Sequence, residues 1–476
     1  MMKSKIWKLI LMAAFPVIFW FTPPPDGLTV EAWRLLGFYL LAIVGLILRP
    51  FSEPLVLLSA VAFAGIFLNN TKDLLVGYSN TTIWLVFSAF AISTAFVKTG
   101  LGKRIAYVMI RSFGSTTLRL GYVTAFLDFI ISPVTPSNTA RSGGIVFPII
   151  HSVAKALGSE PGETAKKAGS YLIINTYYTM KVTSFMFITA MAPNLLTADF
   201  MNKILGTNLN WGNWAAGLVV PGLILLLIYP FIGYYLDKPE IKRINNKEIA
   251  RQGLAELGVM QPTEKLLIAI FILALVGWAA PSLLSLIGIK FTLNATAVAL
   301  VAMVLAFLFG VIGWGDMLAN KAAWNTLIWF GGIIGMATAL DKAKIFDWLA
   351  HTISTNVSFT YSPFTVLCIL GFLSIVVRYF FASASSYVVA MLPVFLTIGK
   401  AAGADPMALA LLLAGTNSFG GLVTHYGAGV APILFGAGYN RVTKWWINGA
   451  IMAFIGFIVF ITLGYAWWDL IGLLQS

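Results

Sequence analysis

Pro133-Val134-Thr135-Pro136-Ser137-Asn138-Thr139-Ala140-Arg141 and Arg378-Tyr379-Phe380-Phe381-Ala382-Ser383-Ala384-Ser385-Ser386 are two small, polar, hydroxyl-rich stretches set inside apolar sequence. Each leads into a second apolar run that ends in a proline, Pro148 and Pro393, 245 residues apart. Other landmarks repeat at a similar interval. Trp84-Leu85-Val86-Phe87 and Thr99-Gly100-Leu101-Gly102 precede Ala106; Trp329-Phe330-Gly331-Gly332 and Ala343-Lys344 precede Ala350, 244 residues later. Ile188-Thr189-Ala190-Met191-Ala192-Pro193-Asn194 matches Val423-Thr424-His425-Tyr426-Gly427-Ala428-Gly429 at an offset of 235. Paired interruptions at corresponding points of two halves are the sequence mark of a secondary transporter's binding site.

Composition agrees. The 476 residues are 59% hydrophobic and 10% charged, against about 25% charged in soluble domains. The chain reads as an all-α polytopic membrane protein. Its Gly, Leu and Ile runs lack the alternation of an outer-membrane barrel. One cysteine, Cys368, excludes a disulfide framework within the chain, and three scattered histidines suggest no metal cluster,. No cofactor, metal or nucleic-acid partner is expected. The net charge of +13 is the ordinary excess of Lys and Arg in cytoplasmic loops. Lys3, Lys5 and Lys8 precede the apolar run 10–21. That pattern also suits a signal peptide, but no small-residue cleavage site follows, and it is read as a first span with a cytoplasmic N-terminus. A bacterial plasma (inner) membrane is the simplest location.

Apolar stretches near the spanning length of about 20 residues fall at 9–22, 34–49, 54–68, 82–98, 169–190, 212–236, 265–287, 293–313, 323–340, 363–378, 405–436 and 447–471. The shorter runs around the polar stretches predict re-entrant hairpins over 118–157 and 370–401. The stretch 237–264, with Lys238, Lys242, Arg243, Lys247 and Arg251, predicts a cytoplasmic linker,. It divides a first repeat, 1–236, from a second, 265–476. An odd number of spans per repeat makes the two inverted.

Irregular backbone at membrane depth is tolerated only where protein or a watery cavity satisfies it. Pro133, Pro136 and Gly143-Gly144 break helices, so the first hairpin stops partway through the bilayer. At its tip, Ser137, Asn138, Thr139 and helix N-terminal N–H groups suit a carboxylate. Ser383, Ser385 and Ser386 offer the second cluster. Two separated donor clusters suit a C4 or C5 dicarboxylate, although hydroxyls at such places also simply pack helices together. Segments 169–194 and 405–436 read as helices unwound near their middle, or as loops between short helices. Arg141, Lys181, Arg378 and His425 lie within or beside the site. Charged groups at membrane depth are functional candidates, unless they snorkel to the interface.

Ser137-Asn138-Thr139 at a hairpin tip of a repeated architecture resembles the signature of the divalent anion/sodium symporter family, which carries di- and tricarboxylates. The resemblance spans nearly the whole chain. It implies elevator-type transport, a scaffold with a moving transport domain, and a homodimer in lipid. It also implies that Ser137, Asn138, Thr139, Ser383, Ser385, Thr189 and Thr424 bind substrate. The family's second hairpin usually carries another Ser-Asn-Thr; here Ser383-Ala384-Ser385 stands instead, without the asparagine. Tyr379 to Ser385 is similar to the exchanger branch, which holds bacterial citrate/succinate antiporters and plastid 2-oxoglutarate/malate translocators. Lys181, Arg141, Arg378 and His425 are then the candidates to replace the charge of Na⁺. Fixed cations hinder the return of an empty carrier, because moving uncompensated charge through the membrane costs several kcal/mol. The expectation is exchange of malate, succinate, fumarate or 2-oxoglutarate without sodium; the alternative is a sodium-coupled symporter. An anion channel would need a continuous pore, and no catalytic cluster supports an enzyme.

Overall fold

The helices begin where the sequence supplies caps. Thr29, Asn80, Thr116 and Asn294 accept hydrogen bonds from first-turn N–H groups of Val30–Leu48, Thr81–Thr99, Thr117–Ile131 and Ala295–Leu308,. Gly100 and Gly206, at φ +75° and +70°, end Thr81–Thr99 and Ala192–Leu205 in the left-handed region,. The computed structural model describes residues 2–356 and 361–474, with side chains from residue 6 onward except that of residue 286. The side chains of Lys3 and Lys5 therefore lie outside the described residues.

Among the described residues nine helices are long and apolar enough to cross a membrane, and none of the elements is a strand. Four expected spans are shorter helices: Ile6–Phe21, Glu53–Phe67, Ala295–Leu308 and Pro363–Arg378. Pro54 and Pro363 sit in the first turn and fix where two of them start,. Gly310, at φ +66°, stops the third before residue 313. Two hairpin arms are longer than expected. Ser132–Val134 extends the first arm by a 3₁₀ turn, and Ser383 caps Ala384–Ala401 one turn earlier than the apolar pattern begins.

The helices pack as two groups. One is built from Met2–Phe21, Val30–Leu48, Glu53–Phe67, Thr81–Thr99, Ala295–Leu308 and Lys321–Lys342. Its tightest seam is glycine on glycine. A Cβ at Gly335 would meet the Leu74 carbonyl, and one at Gly77 would meet the Gly331 carbonyl. The second group holds Thr117–Ile131, Gly169–Met186, Trp211–Leu236, Pro363–Arg378, Ala384–Ala401 and Pro406–Phe419.

Contacts of the linker give the direction of these elements. Thr117 N donates to Lys242 O at 3.2 Å and Ile241 N to Lys167 O at 2.9 Å. The open end of the first hairpin and the start of Gly169–Met186 therefore sit on the linker face. Asp237 pairs with Lys444 and accepts from Ser170 and Asn440, which puts the residues after Pro406–Phe419, and the start of Val442–Val459, on the same face. The broken helices thus run in opposite senses. Lys400, at the open end of the second hairpin, pairs with Asp347. Asp347 follows Lys342, which reaches Asp73 at the opposite end of Lys321–Lys342 from the Lys98–Asp316 pair.

Candidate functional site

The first tip leaves the helix at Thr135, whose backbone is extended, and re-enters the membrane as a wide π-helical turn, Thr139–Val146, before Phe147–Ala156. Gly143-Gly144, expected to break the helix, lie inside this turn. A widened turn accommodates residues a tight helix would exclude, and such turns recur at functional sites. Arg141 holds the tip together. Its Nε donates to Asp128 Oδ2 at 3.0 Å, and its Nη1 donates to both the Thr135 and Ala190 carbonyls, at 2.8 and 2.7 Å. Ser142 and Thr183 also donate to Asp128. Asn138 Oδ1 accepts from Arg141 at 3.1 Å and from Ser184 at 2.9 Å. That network fixes the amide so that its nitrogen has only the weak sulfur acceptor Met191 Sδ, at 3.9 Å, on the cavity wall.

The second tip starts a helix. Ser383 caps Ala384–Ala401, and Ala382 to Ser385 face the first tip across a cavity of about 440 Å³. Ser137, Asn138, Thr139, Lys181, Asn417 and Ser418 line the same space. The cavity therefore collects hydroxyls, amides, two helix N-termini and one lysine, a donor-rich set for carboxylate groups. The Asn417 amide is buried, and among the described residues neither of its side-chain polar atoms has a hydrogen-bond partner. Buried polar groups are nearly always satisfied, so an unpartnered amide on a cavity wall marks a place for a ligand.

Two cations meet behind this wall. Lys181 Nζ and Arg378 Nη2 both donate to Gly427 O, at 3.0 and 2.9 Å. Arg378 also donates to Asn417 O and Phe381 O. Lys181 is 2% and Arg378 0% exposed. Their partners are carbonyls, and among the described residues neither forms an ion pair. A Cβ at Gly421 would meet Lys181 Nζ at 2.5 Å, so the glycine leaves room for the ammonium.

The other expected residues lie elsewhere. Arg141 is neutralised by Asp128, which corrects the expectation of an uncompensated cation there. Asp128 and Arg141 sit on the two arms of one hairpin, and folding the hairpin pairs them. Thr189 does not line the cavity. Its hydroxyl donates to Pro133 O and accepts from Trp211 Nε1 at 3.2 Å, so it braces the tip from behind. Thr424 is 1% exposed and also off the cavity wall. His425 Nδ1 accepts from Trp446 Nε1 at 3.0 Å among Tyr426 and Phe435, outside the cavity.

The far wall was not read from the sequence. It consists of Arg49, Glu53, Asn325, Thr326 and Trp329 of the first helix group. Glu53 is its carboxylate, and it pairs with Arg49 at 3.4 Å. The positive φ of Arg49, +47°, turns the chain after Val30–Leu48 across the cavity.

A family profile described as "Sodium:sulfate symporter transmembrane region" matches residues 3–474. The inner membrane protein YbhI of Escherichia coli (strain K12) is 50% identical over 478 residues, 99% of each chain. Dicarboxylate transporter 1, chloroplastic, of Arabidopsis thaliana is 35% identical, covering 99% of this chain and 84% of its own. The citrate/succinate antiporter of Escherichia coli (strain K12) is 34% identical, covering 97% and 98%. Among solved structures, MtrF of Neisseria gonorrhoeae superposes with a TM-score of 0.58 at 13% identity over 96% and 94% of the chains, a likeness of fold. The chain is a multi-pass inner-membrane transporter, not an enzyme, and it belongs to the sodium:sulfate symporter family, the divalent anion/sodium symporters that its Ser137-Asn138-Thr139 tip resembles.

Proposed function

We propose that the protein exchanges C4 and C5 dicarboxylates, such as malate, succinate, fumarate or 2-oxoglutarate, across the inner membrane without sodium coupling. The transport of dicarboxylates rests on relatives named for it. The observation that carries exchange is the pair Lys181 and Arg378, buried on one carbonyl with no carboxylate partner among the described residues. One carboxylate of the substrate takes the Asn138 amide and the hydroxyls of Ser137 and Thr139. The other takes Ser383, Ser385 and the Asn417 amide. With substrate bound, the two negative charges offset the two cations. Empty, the site carries net positive charge, and its passage through the low-dielectric region is suppressed.

The opposite senses of the two broken helices support an inverted repeat. A cavity lined by both helix groups supports an elevator in which the two tips move against Arg49, Asn325 and Trp329. Proteoliposomes loaded with labelled succinate test the proposal. Efflux that needs external dicarboxylate and is unchanged by replacing Na⁺ with K⁺ agrees with it. Net uptake into empty vesicles driven by a Na⁺ gradient overturns it.

A further inference from the structure

An apolar groove of about 570 Å³ runs along the outside of the first hairpin. One wall is Leu101–Phe113, whose Met109, Ser112 and Phe113 face it; the other is Thr117–Ile131, through Arg119, Tyr122 and Phe126. Positions 119, 122 and 126 are spaced i, i+3, i+7 and fall on one helix face. From Arg119 to Phe126 the groove descends about 10 Å into the membrane, at 1.5 Å per residue. Phe113 is 64% exposed at its mouth.

The mouth is cationic. Arg119 lines it, and Arg119 Nη1 donates to Ser115 Oγ at 2.9 Å in the turn that joins the two walls. The linker lies against that turn. Ile244 N donates to Ser115 O at 3.0 Å, Thr116 bridges to Arg243, and Asn246 Nδ2 donates to Arg111 O at 2.9 Å. Arg111, Lys242 and Arg243 are exposed around it, with Glu240 the nearest acidic residue along the linker. A second groove, between Phe372 and Phe454 against the second hairpin, has no charged residue in its lining.

We infer that the groove of the first hairpin is a binding site for an anionic phospholipid of the leaflet on the linker side. The phosphate sits at Arg119, which can offer two parallel N–H donors. One acyl chain follows the face of Tyr122 and Phe126. Basic pockets at the cytoplasmic ends of membrane helices are suited to such headgroups. The lipid bridges the hairpin that carries Ser137, Asn138 and Thr139 to the helix before it.

The test uses the purified, detergent-solubilised protein with added phosphatidylglycerol or phosphatidylcholine of identical chains, read by native mass spectrometry. The wild type retains the anionic lipid about tenfold better, because both lipids offer a phosphate to Arg119 but the choline ammonium of phosphatidylcholine cancels the headgroup charge and is repelled by the cationic mouth. Arg119→Gln reduces that preference to about parity. Ser112→Trp fills the groove and lowers retention of both lipids, with an unchanged melting temperature showing that the fold is intact. Lys103→Gln, an exposed cation on the same helix outside the groove, leaves the preference as in the wild type. Equal retention of the two lipids by the wild type overturns the inference. So does a loss in Lys103→Gln as large as that in Arg119→Gln.

Discussion

Replacing Lys181 with Met isolates the role of fixed charge. Methionine keeps most of the length and packing of the buried stem while removing the ammonium. Lys181 shares the Gly427 carbonyl with Arg378, so one unpaired cation remains in the variant. A charge at membrane depth costs at least about 3 kcal/mol even on the lower scales. At about 1.4 kcal/mol per factor of ten, removing one cation speeds return of the empty carrier roughly a hundredfold. The assay is efflux of labelled succinate from proteoliposomes into buffer with and without unlabelled substrate. The ratio of the two rates is independent of how much protein is reconstituted. The wild type gives a large ratio, and Lys181→Met lowers it roughly a hundredfold because the uncoupled rate rises while Arg378 still holds one charge,. A variant that still exchanges yet keeps the wild-type ratio refutes the reasoning.

Three further outcomes follow from the site. Asn138→Ala removes an amide that lines the cavity; a charge-assisted hydrogen bond of about 1.5–3 kcal/mol makes the half-saturating dicarboxylate concentration rise about ten- to a hundredfold in an exchange titration. Asn417→Asp places a carboxylate beside Lys181 and Arg378, so substrate competition weakens by more than about tenfold while efflux into substrate-free buffer increases. Asp128→Asn leaves Arg141 buried without its partner, which costs about 3–5 kcal/mol; the melting temperature in detergent falls, and Asp128→Leu combined with Arg141→Met recovers much of the loss.

The tips were legible because their chemistry is local. Pro133 and Pro136 each lack a backbone N–H donor and so weaken a regular α-helix locally, and Ser383 is a good N-cap. Pairing across the hairpin was not legible. Asp128 and Arg141 are 13 residues apart, and only the folded hairpin joins them. Thr189 shows the same limit, since a hydroxyl that braces a carbonyl looks identical in sequence to one that meets a substrate. The glycines at 143 and 144 promise a break by propensity, and tertiary packing turns them into a widened helix. The far wall was invisible for another reason. Arg49, Asn325 and Trp329 belong to ordinary spans, and nothing local says which loops will cross a cavity. Asn417 stood in a glycine-rich break with Thr416 and Ser418, and its unpartnered amide, which marks it for the site, exists only in three dimensions.

The most direct measurement is dicarboxylate counterflow by the wild-type protein in proteoliposomes, with Na⁺ varied on both sides. The account predicts uptake of labelled substrate only into vesicles preloaded with dicarboxylate, at a rate unchanged when K⁺ or choline replaces Na⁺. Accumulation in unloaded vesicles that follows an inward Na⁺ gradient would contradict it.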